Sequence, residues 1–287
     1  MEWITEPFGY AFMQRALIAG LLAVVTTSVI GTWVVIRGLT FIGDALAHGV
    51  LPGIALAFVW GFDLRLGAMV SALVMVAGVG LVNRRARLPE DTGIGLLFVG
   101  MLALGVIIIS RQRSYAGELS SFLFGDVLGV SAADLRFQWV AAALVVVVVI
   151  VSYRPFLALS FNADKAWSLG LRPRVAHGLM LGLIAVSIVS SFQAVGTLLV
   201  FGLLVAPPAS ASLIVRRVPM IMLVGVGIGA VSVVAGLLIS FHYDTAASAT
   251  MAFTAVSIFF VVLTVKEVVS ALGRRRAGAP ERGVVGA

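Results

Sequence analysis

Cysteine is absent from this sequence, and charged residues are scarce. Without cysteine the chain cannot form disulfides, thiolate metal sites or cysteine redox pairs. Only 11% of its residues are charged, whereas soluble domains have about 25%. With 61% hydrophobic residues and a mean hydropathy of +1.11, the chain cannot cover a surface that faces water. The composition therefore predicts an integral membrane protein.

Two further absences exclude classes of function. The net charge of +7 comes mainly from arginines at the ends of apolar runs, without a basic patch interleaved with aromatics, so we expect no nucleic-acid partner. The chain also lacks a Gly-x-x-x-x-Gly-Lys-Ser/Thr loop, because neither Lys165 nor Lys266 follows a glycine. It therefore cannot cradle ATP phosphates, and we expect no enzyme activity and no covalently bound cofactor.

Apolar runs of about 20 residues are long enough to cross a bilayer as helices. Nine candidates occur, at 12–36, 41–60, 66–83, 93–110, 137–153, 176–193, 197–215, 219–241 and 246–266. The run 197–215 is interrupted by Pro207-Pro208, which predicts a short or broken helix and a count of eight full spans plus a partial one. The expected fold is therefore all-α and polytopic, with eight or nine transmembrane helices.

Arginines and one lysine mark alternate loops, which fixes an expected orientation. Nine crossings place the N-terminus outside and the C-terminus in the cytoplasm, with every basic loop inside. Those loops contain Arg84, Arg85, Arg87, Arg154, Lys165, Arg172, Arg174, Arg216, Arg217, Arg274, Arg275 and Arg276. We expect an extracytoplasmic N-terminus at 1–11, a permease domain at 12–268, and a disordered basic tail at 269–287 that is attracted to anionic lipid headgroups. The expected location is the bacterial plasma (inner) membrane.

Two connecting segments carry apolar side chains. Residues 117–131, predicted outside, are amphipathic, which indicates either an interfacial helix or a docking or gating element. Residues 155–175, predicted inside, include Phe161, Trp167 and Leu169 and end in Gly170 and a short basic stretch. This pattern predicts a small cytoplasmic helix with an apolar face, and such a face favours contact with a soluble partner.

The segment FIGDALAHGVLPGIALAFVW (41–60) contains two ionisable side chains in an apolar run. Asp44 and His48 are four residues apart, so on a helix they share a face. Counted from Arg37 as a continuous helix, His48 lies about 16 Å deep, near the middle of the bilayer, with Pro52-Gly53 weakening the helix just beyond. A charge at this depth costs at least a few kcal/mol and needs a partner.

Two interpretations of this pair remain open from the residues alone. In the first, Asp44 and His48 hydrogen-bond each other or a neighbouring helix and hold the bundle together. In the second, carboxylate oxygen and imidazole nitrogen bind a divalent cation such as Mn²⁺, Zn²⁺ or Fe²⁺. Two ligands are too few for tight binding, but a dimer with its axis beside this helix would supply two Asp and two His.

Several stretches resemble the membrane permeases of bacterial manganese, zinc and iron ABC importers, over about residues 12–268. RGLTFIGDALAHGVLPGIALAF (37–58) is similar to the family's Arg-x-x-x-x-x-Gly-Asp-Ala-x-x-His-x-x-x-Pro-Gly segment and is the most specific match. Further matches are FLFGDVLGVS (122–131), FNADKAWSLGL (161–171), QAVGTLLVFGLLVAPPASA (193–211) and GLLISFHYD (236–244). The sequence departs from the family pattern at Asn162, Asp164 and Pro208 and at 245–248. The first two departures predict that pairing with the ATPase differs in detail. Those at 245–248 predict a different packing of the outer end and an unusual cargo or donor protein.

The resemblance implies a set of functional residues. It makes Asp44 and His48 the metal contacts on the translocation path. Contacts with the ATPase would come from a cytoplasmic helix that contains Asn162, Asp164, Ala166 and Gly170. From their position at the outer end, His242 and Asp244 are candidates for the entrance, although an interfacial aromatic-belt role is the alternative for His242. His177, at the inner boundary, is expected to be an interfacial side chain.

The resemblance also implies partners and a mechanism. We expect a second permease chain forming a homodimer, two ATP-binding cassette subunits that hold the ATP, and an extracytoplasmic metal-binding lipoprotein. Mn²⁺ is the first expected cargo, and Zn²⁺ or Fe²⁺ are the alternatives. The rival hypotheses are a proton-coupled secondary transporter and an ABC permease for haem or a siderophore. The first rival is disfavoured because the Asp-Ala-x-x-His stretch has no counterpart after residue 144, whereas such transporters are often built from inverted repeats.

Overall fold

The computed structural model describes residues 6–85, 90–110, 125, 129–161, 167 and 170–277. After a 3-10 turn at Pro7–Gly9, these residues form eleven α-helices and no strand. The helices are α1 Ala11–Arg37, α2 Thr40–Gly49, α3 Leu51–Trp60, α4 Leu64–Arg85, α5 Glu90–Ile109, α6 Ala132–Val151, α7 Tyr153–Phe161, α8 Pro173–Val195, α9 Thr197–Ile214, α10 Val218–Tyr243 and α11 Ala247–Ala277.

The predicted all-α membrane fold is confirmed. Within the described ranges, 8 helical segments are long and apolar enough to cross a membrane, with α2 and α3 counted as the single span Thr40–Trp60. The remaining candidate, 197–215, corresponds to α9, whose apolar part, Val200–Ile214, is shorter than a full span. The count of eight spans plus a partial one is therefore the correct alternative.

The expected break at Pro207-Pro208 does not occur, because α9 runs continuously through both prolines. Pro208 has no N–H to donate to the carbonyl of Leu204, so this carbonyl loses its helical partner. A Cβ on Gly31 of α1 would collide with the Leu204 carbonyl oxygen, so the two backbones are in close contact there. Packing against α1 thus holds the helix through a sequence that would break it in isolation.

A tight turn joins α1 to α2 and sets the depth of the candidate site. Gly38 ends α1 in the left-handed conformation (φ 68°), and the N–H of Leu39 donates to the carbonyl of Val34 at 2.9 Å. These features form a Schellman cap, in which glycine tolerates the positive φ. Since α2 starts only at Thr40, His48 lies about 12 Å along this helix, shallower than the estimate from a continuous helix.

The span Thr40–Trp60 breaks at Val50, two residues before the Pro52-Gly53 pair that is expected to weaken the helix. Pro52 lies in the first turn of α3, where a missing N–H is tolerated. Gly53 packs directly on α4, because a Cβ there would collide with the carbonyl oxygen of Gly67. The break is therefore a defined junction between two packed helices.

The core lies where α1, α8, α9 and α10 meet, and it includes the fully buried Trp33. In contrast, α5 and α11 are mostly exposed along their apolar lengths, so they lie at the perimeter, where lipid or another chain must cover them. The helix α7 packs back on α1, with the Phe156 and Trp33 ring centroids 5.6 Å apart. The first part of the segment 155–175 is therefore partly buried, whereas Phe161, the last residue of α7, is exposed.

Two expectations concern segments that the structure describes only in part. Most of the segment 117–131 lies outside the described residues, and so does the tail from residue 278 onward. The described Gly125 has a φ of 68°, and a Cβ there would collide with the backbone of Gly196, so this point of the loop packs on the end of α8. The helix α11 extends to Ala277, nine residues beyond 268, into the segment assigned to the tail.

Candidate functional site

Asp44 and His48 lie on one face of α2, as their spacing predicts. The distance from His48 Nε2 to Asp44 Oδ1 is 3.6 Å, and the two side chains are 16% and 32% exposed, respectively. The pair therefore lies within the span but opens onto a surface of the chain. Because a carboxylate facing hydrocarbon is costly, this surface must be lined by water or by another protein chain.

His48 is held against α5 by aromatic contact. Its ring lies 5.5 Å from the ring of Phe98, at an interplanar angle of 66°, and the ring centroids of Phe41 and Phe98 are 6.1 Å apart. The Nδ1 atom of His48 is buried and has no hydrogen-bond partner within the described part of the chain. A buried polar atom without a partner is costly and rare, so it indicates a ligand or ordered water.

Close helix packing fixes the orientation of α2. Gly43 faces α9, where a Cβ would approach the side chain of Leu204 to 2.6 Å. Ser71 of α4 donates a 2.7 Å hydrogen bond to the carbonyl oxygen of Gly49, next to the helix break. Neighbours on two sides thus hold the helix that carries Asp44 and His48, which preorganises the pair.

One chain supplies an incomplete set of metal ligands. In the described ranges, no group of three or more His, Cys, Asp and Glu side chains could hold a metal ion. The 3.6 Å separation of Asp44 and His48 therefore provides two donors of the types that first-row divalent cations accept. Any higher coordination number needs water or ligands from another chain.

The predicted coupling residues are only partly described. Asn162, Asp164 and Ala166 lie outside the described residues. Gly170 has a left-handed φ of 72°, and its N–H donates to the Trp167 carbonyl at 2.8 Å. A groove of about 450 Å³ is lined by Trp167, Gly170, Leu171, Arg172, Pro173, Arg174 and Val175. Trp167 is 68% exposed beside this groove, so an apolar side chain is available to a partner at this end of α8.

The structure does not bring His242 and Asp244 together with Asp44 and His48. The helix α10 packs against α1, α9 and α11, whereas α2 packs chiefly against α4, α5, α8 and α9. His242 Nδ1 donates to the carbonyl of Leu238 at 2.8 Å, so it stabilises its own helix. Asp244 ends α10 in the left-handed conformation (φ 50°) and is exposed. Both residues therefore have local structural roles at the end of α10.

His177, expected at the membrane interface, lies near the start of α8 and contacts α1. Its Nδ1 lies 3.0 Å from Nη1 of Arg37, and the guanidinium must be the donor. This contact links the cytoplasmic end predicted for α1 to the start of α8.

Sequence reasoning missed three features, one within the spans and two at the start of α6. The contact of Phe98 with His48 has no motif that could have revealed it. The ion pair between Arg65 of α4 and Asp134 of α6 was also missed. Ser131 and Asp134 form a capping box, and the Ser-x-x-Asp spacing before an apolar run was a detectable signal for this cap.

Comparison with known proteins identifies related sequences. The family model described as "ABC 3 transport family" matches residues 9–266. The manganese transport system membrane protein MntC of Listeria innocua is 35% identical over 252 residues, covering 88% of this chain and 90% of that protein. The chelated iron transport system membrane protein YfeD of Yersinia pestis is 37% identical over 259 residues, covering 90% of this chain and 86% of that protein.

A solved structure has the same fold. PsaBC from Streptococcus pneumoniae, in complex with a Fab, superposes with a TM-score of 0.82 at 30% identity. The match covers 91% of this chain and 94% of the matched chain, so the similarity extends over the whole bundle.

Proposed function

Because the match over residues 9–266 shows that this chain belongs to the ABC 3 transport family, we propose that it is the permease of an ATP-driven importer of divalent metal ions. The family and the eight apolar spans make it a multi-pass protein of the plasma membrane and the transport component of an ABC system. In the proposed orientation the N-terminus lies outside and the C-terminus lies in the cytoplasm.

The observation that carries this proposal is the Asp44–His48 pair, which is partly exposed within a span. A carboxylate oxygen and an imidazole nitrogen 3.6 Å apart can bind one cation together after a small adjustment of either side chain. A site with few protein ligands also suits transport, since the ion must leave as readily as it enters.

The proposed cargo is Mn²⁺ first, with Zn²⁺ and Fe²⁺ as alternatives. The Listeria innocua relative is named for manganese transport and the Yersinia pestis relative for chelated iron transport. Ligand chemistry alone does not separate these ions, because each accepts carboxylate and imidazole. Mn²⁺ tolerates oxygen ligands well, so a site with one carboxylate per chain and added water suits it.

A second copy of the chain would complete the site. Twofold symmetry about an axis beside α2 would bring together two copies each of Asp44 and His48, giving four protein ligands. The 32% exposure of Asp44 supports this arrangement, because the carboxylate is accessible from outside the single chain. The path for the ion would then run between the two permeases.

The energy for transport would come from separate ATPase subunits, since this chain has no phosphate-binding loop. We place their docking site at the segment that contains Asn162, Asp164, Ala166 and Gly170. The exposed apolar side chains Phe161 and Trp167 support a partner at this end of the bundle. Closure of two ATPases would push this segment and switch access to the Asp44–His48 level from one side to the other.

Delivery from outside would require a metal-binding lipoprotein that docks on the extracytoplasmic face. The exposed Asp244 at the end of α10 remains our candidate for a first contact with the ion, together with His242. Because α10 does not pack against α2, we propose these two residues for the entrance and not for the central site. Family membership favours this ATP-driven mechanism over a proton-coupled secondary transporter, and the small two-ligand site favours an ion over haem or a siderophore.

The direct test is metal-stimulated ATP hydrolysis by the permease reconstituted with its ATPase and binding protein. We expect Mn²⁺-loaded binding protein to stimulate hydrolysis in the parent, and Asp44→Asn or His48→Ala to remove most of the coupled Mn²⁺ uptake. Asp63→Asn is the matched control, because Asp63 is exposed and its side-chain oxygen accepts from the N–H of Arg65, a role that asparagine retains. Equal uptake by Asp44→Asn, His48→Ala and the control would refute the metal site.

A further inference from the structure

A second groove lies between α4 and α8. It has a volume of about 770 Å³ and is lined by Val76, Ala77, Gly80, Leu81, Arg174, His177, Gly178 and Leu181. It lies near the last turns of α4, which ends at Arg85, and the first turns of α8, which begins at Pro173. The groove therefore opens at the end of the bundle predicted to face the cytoplasm.

The chemistry of this groove changes along its length. Arg174 is exposed at the start of α8, while Leu181, seven residues and about 10 Å further along the helix, is buried. Arg85 follows Leu81 by one helical turn and adds a second cation at the same end. The groove thus has a cationic mouth at the boundary of the span and apolar walls within it.

Glycines leave the floor of the groove open. A Cβ on Gly80 or on Gly178 would meet no atom within 4 Å. These glycines are therefore not required by close helix packing, unlike Gly53, whose Cβ would collide with α4. The volume of about 770 Å³ leaves room for a flexible apolar chain along the two helices.

The cationic mouth determines what can occupy this space. A divalent cation would be repelled by Arg174 and by Arg37, whose guanidinium contacts His177 at 3.0 Å. A small soluble anion would bind the cationic side chains at the mouth but would leave the apolar walls facing water. An amphiphile with a negative head and an apolar tail satisfies both parts.

We propose that this groove binds an anionic phospholipid. The headgroup phosphate accepts hydrogen bonds from Arg174 at the mouth, and one acyl chain lies over Gly178 toward Leu181. Because the groove joins the start of α8, which follows the segment 161–170, to α4, a bound lipid would stabilise the contact between these helices. The inference is independent of which ion the permease carries.

The test uses the full-length protein in mild detergent, with bound lipids counted by native mass spectrometry. We expect phosphatidylglycerol to bind more tightly than phosphatidylcholine. Arg174→Gln should lower the affinity for phosphatidylglycerol about fivefold, because the phosphate loses its interaction with one cation. Arg174→Lys should retain most of the preference. Inorganic phosphate in large excess should not displace the lipid, because it cannot use the apolar walls.

A matched pair of glycine variants tests the position of the acyl chain. Gly178→Leu should fill the groove and remove one bound phosphatidylglycerol. Gly227→Leu on α10 is the control, because a Cβ at Gly227 also meets no atom within 4 Å and this residue is exposed. Both changes replace glycine by a strong helix former, so neither should lower the melting temperature.

Four results would overturn the proposal. The parent could bind the two lipids equally, or Gly178→Leu and Gly227→Leu could retain the same number of lipids. Alternatively, Gly178→Leu could dissociate permease dimers without changing the lipid count, which would make the groove a contact between copies. Displacement by inorganic phosphate would also contradict the lipid assignment, since it would show that the mouth alone accounts for binding.

Discussion

The hydroxyl of Ser71 donates a 2.7 Å hydrogen bond to the carbonyl oxygen of Gly49. This bond crosses from α4 to the end of α2, one residue after His48 and directly before the helix break. It satisfies a buried carbonyl at a point where the regular hydrogen-bond ladder is interrupted. The bond therefore connects the position of the candidate metal ligands to a neighbouring helix.

Removing this hydroxyl should lower stability. We expect Ser71→Ala to cost about 1–2 kcal/mol, because the Gly49 carbonyl is left buried without this donor. Ser210→Ala is the matched control, since the buried Ser210 hydroxyl donates to the Ala206 carbonyl of its own helix at 2.8 Å and its loss should cost less. Thermal unfolding in detergent measures both, and equal effects of the two variants would contradict the role assigned to Ser71.

The aromatic contact between Phe98 and His48 should influence metal affinity. Aromatic pairs contribute about 0.5–1.5 kcal/mol, so Phe98→Ala should weaken Mn²⁺ binding roughly threefold to tenfold by freeing the imidazole ring. Leu96→Ala is the control on the same helix, because Leu96 is 64% exposed and faces away from the packed interior. Isothermal titration of the purified permease with Mn²⁺ would show this difference, and unchanged affinity in Phe98→Ala would exclude a positioning role.

Substitution by alanine should change the stability of the protein in opposite directions at two glycines on different helices. Gly31→Ala places a methyl group against the carbonyl oxygen of Leu204, so it should cost at least about 1–3 kcal/mol or prevent folding. Gly100→Ala on α5 meets no atom within 4 Å and should stabilise the helix by up to about 1 kcal/mol. Melting temperatures compare the variants, and a tolerated Gly31→Ala would contradict the close approach of α1 and α9.

The hydropathy of the sequence was sufficient to locate the membrane spans, because a span depends mainly on local composition. The Asp44–His48 face was equally predictable, since it follows from the helical period alone. The continuity of α9 through Pro207-Pro208 was not, because it depends on contact with Gly31 on a distant helix. The contact of Phe98 with His48 was hidden for the same reason, as no local pattern encodes which helix packs against α2.

The ion pair of Arg65 and Asp134 should couple α4 to α6. Each side chain is only partly exposed, and Arg65 also lies over the ring of Phe137, 5.2 Å from its centroid. A double-mutant cycle with Arg65→Gln and Asp134→Asn should give a coupling free energy of about 1 kcal/mol, reduced at high salt. Additive effects of the two changes would show that the pair contributes nothing beyond the cap that Asp134 makes with Ser131.

The most direct test of the central claim is pulsed electron paramagnetic resonance of Mn²⁺ bound to the purified permease. The chain has 3 histidines, so a hyperfine coupling to an imidazole nitrogen can be assigned by three single variants. We predict that this coupling disappears in His48→Ala and persists in His177→Ala and His242→Ala. A coupling that persists in His48→Ala, or that never appears in the parent, would contradict binding of the ion at Asp44 and His48.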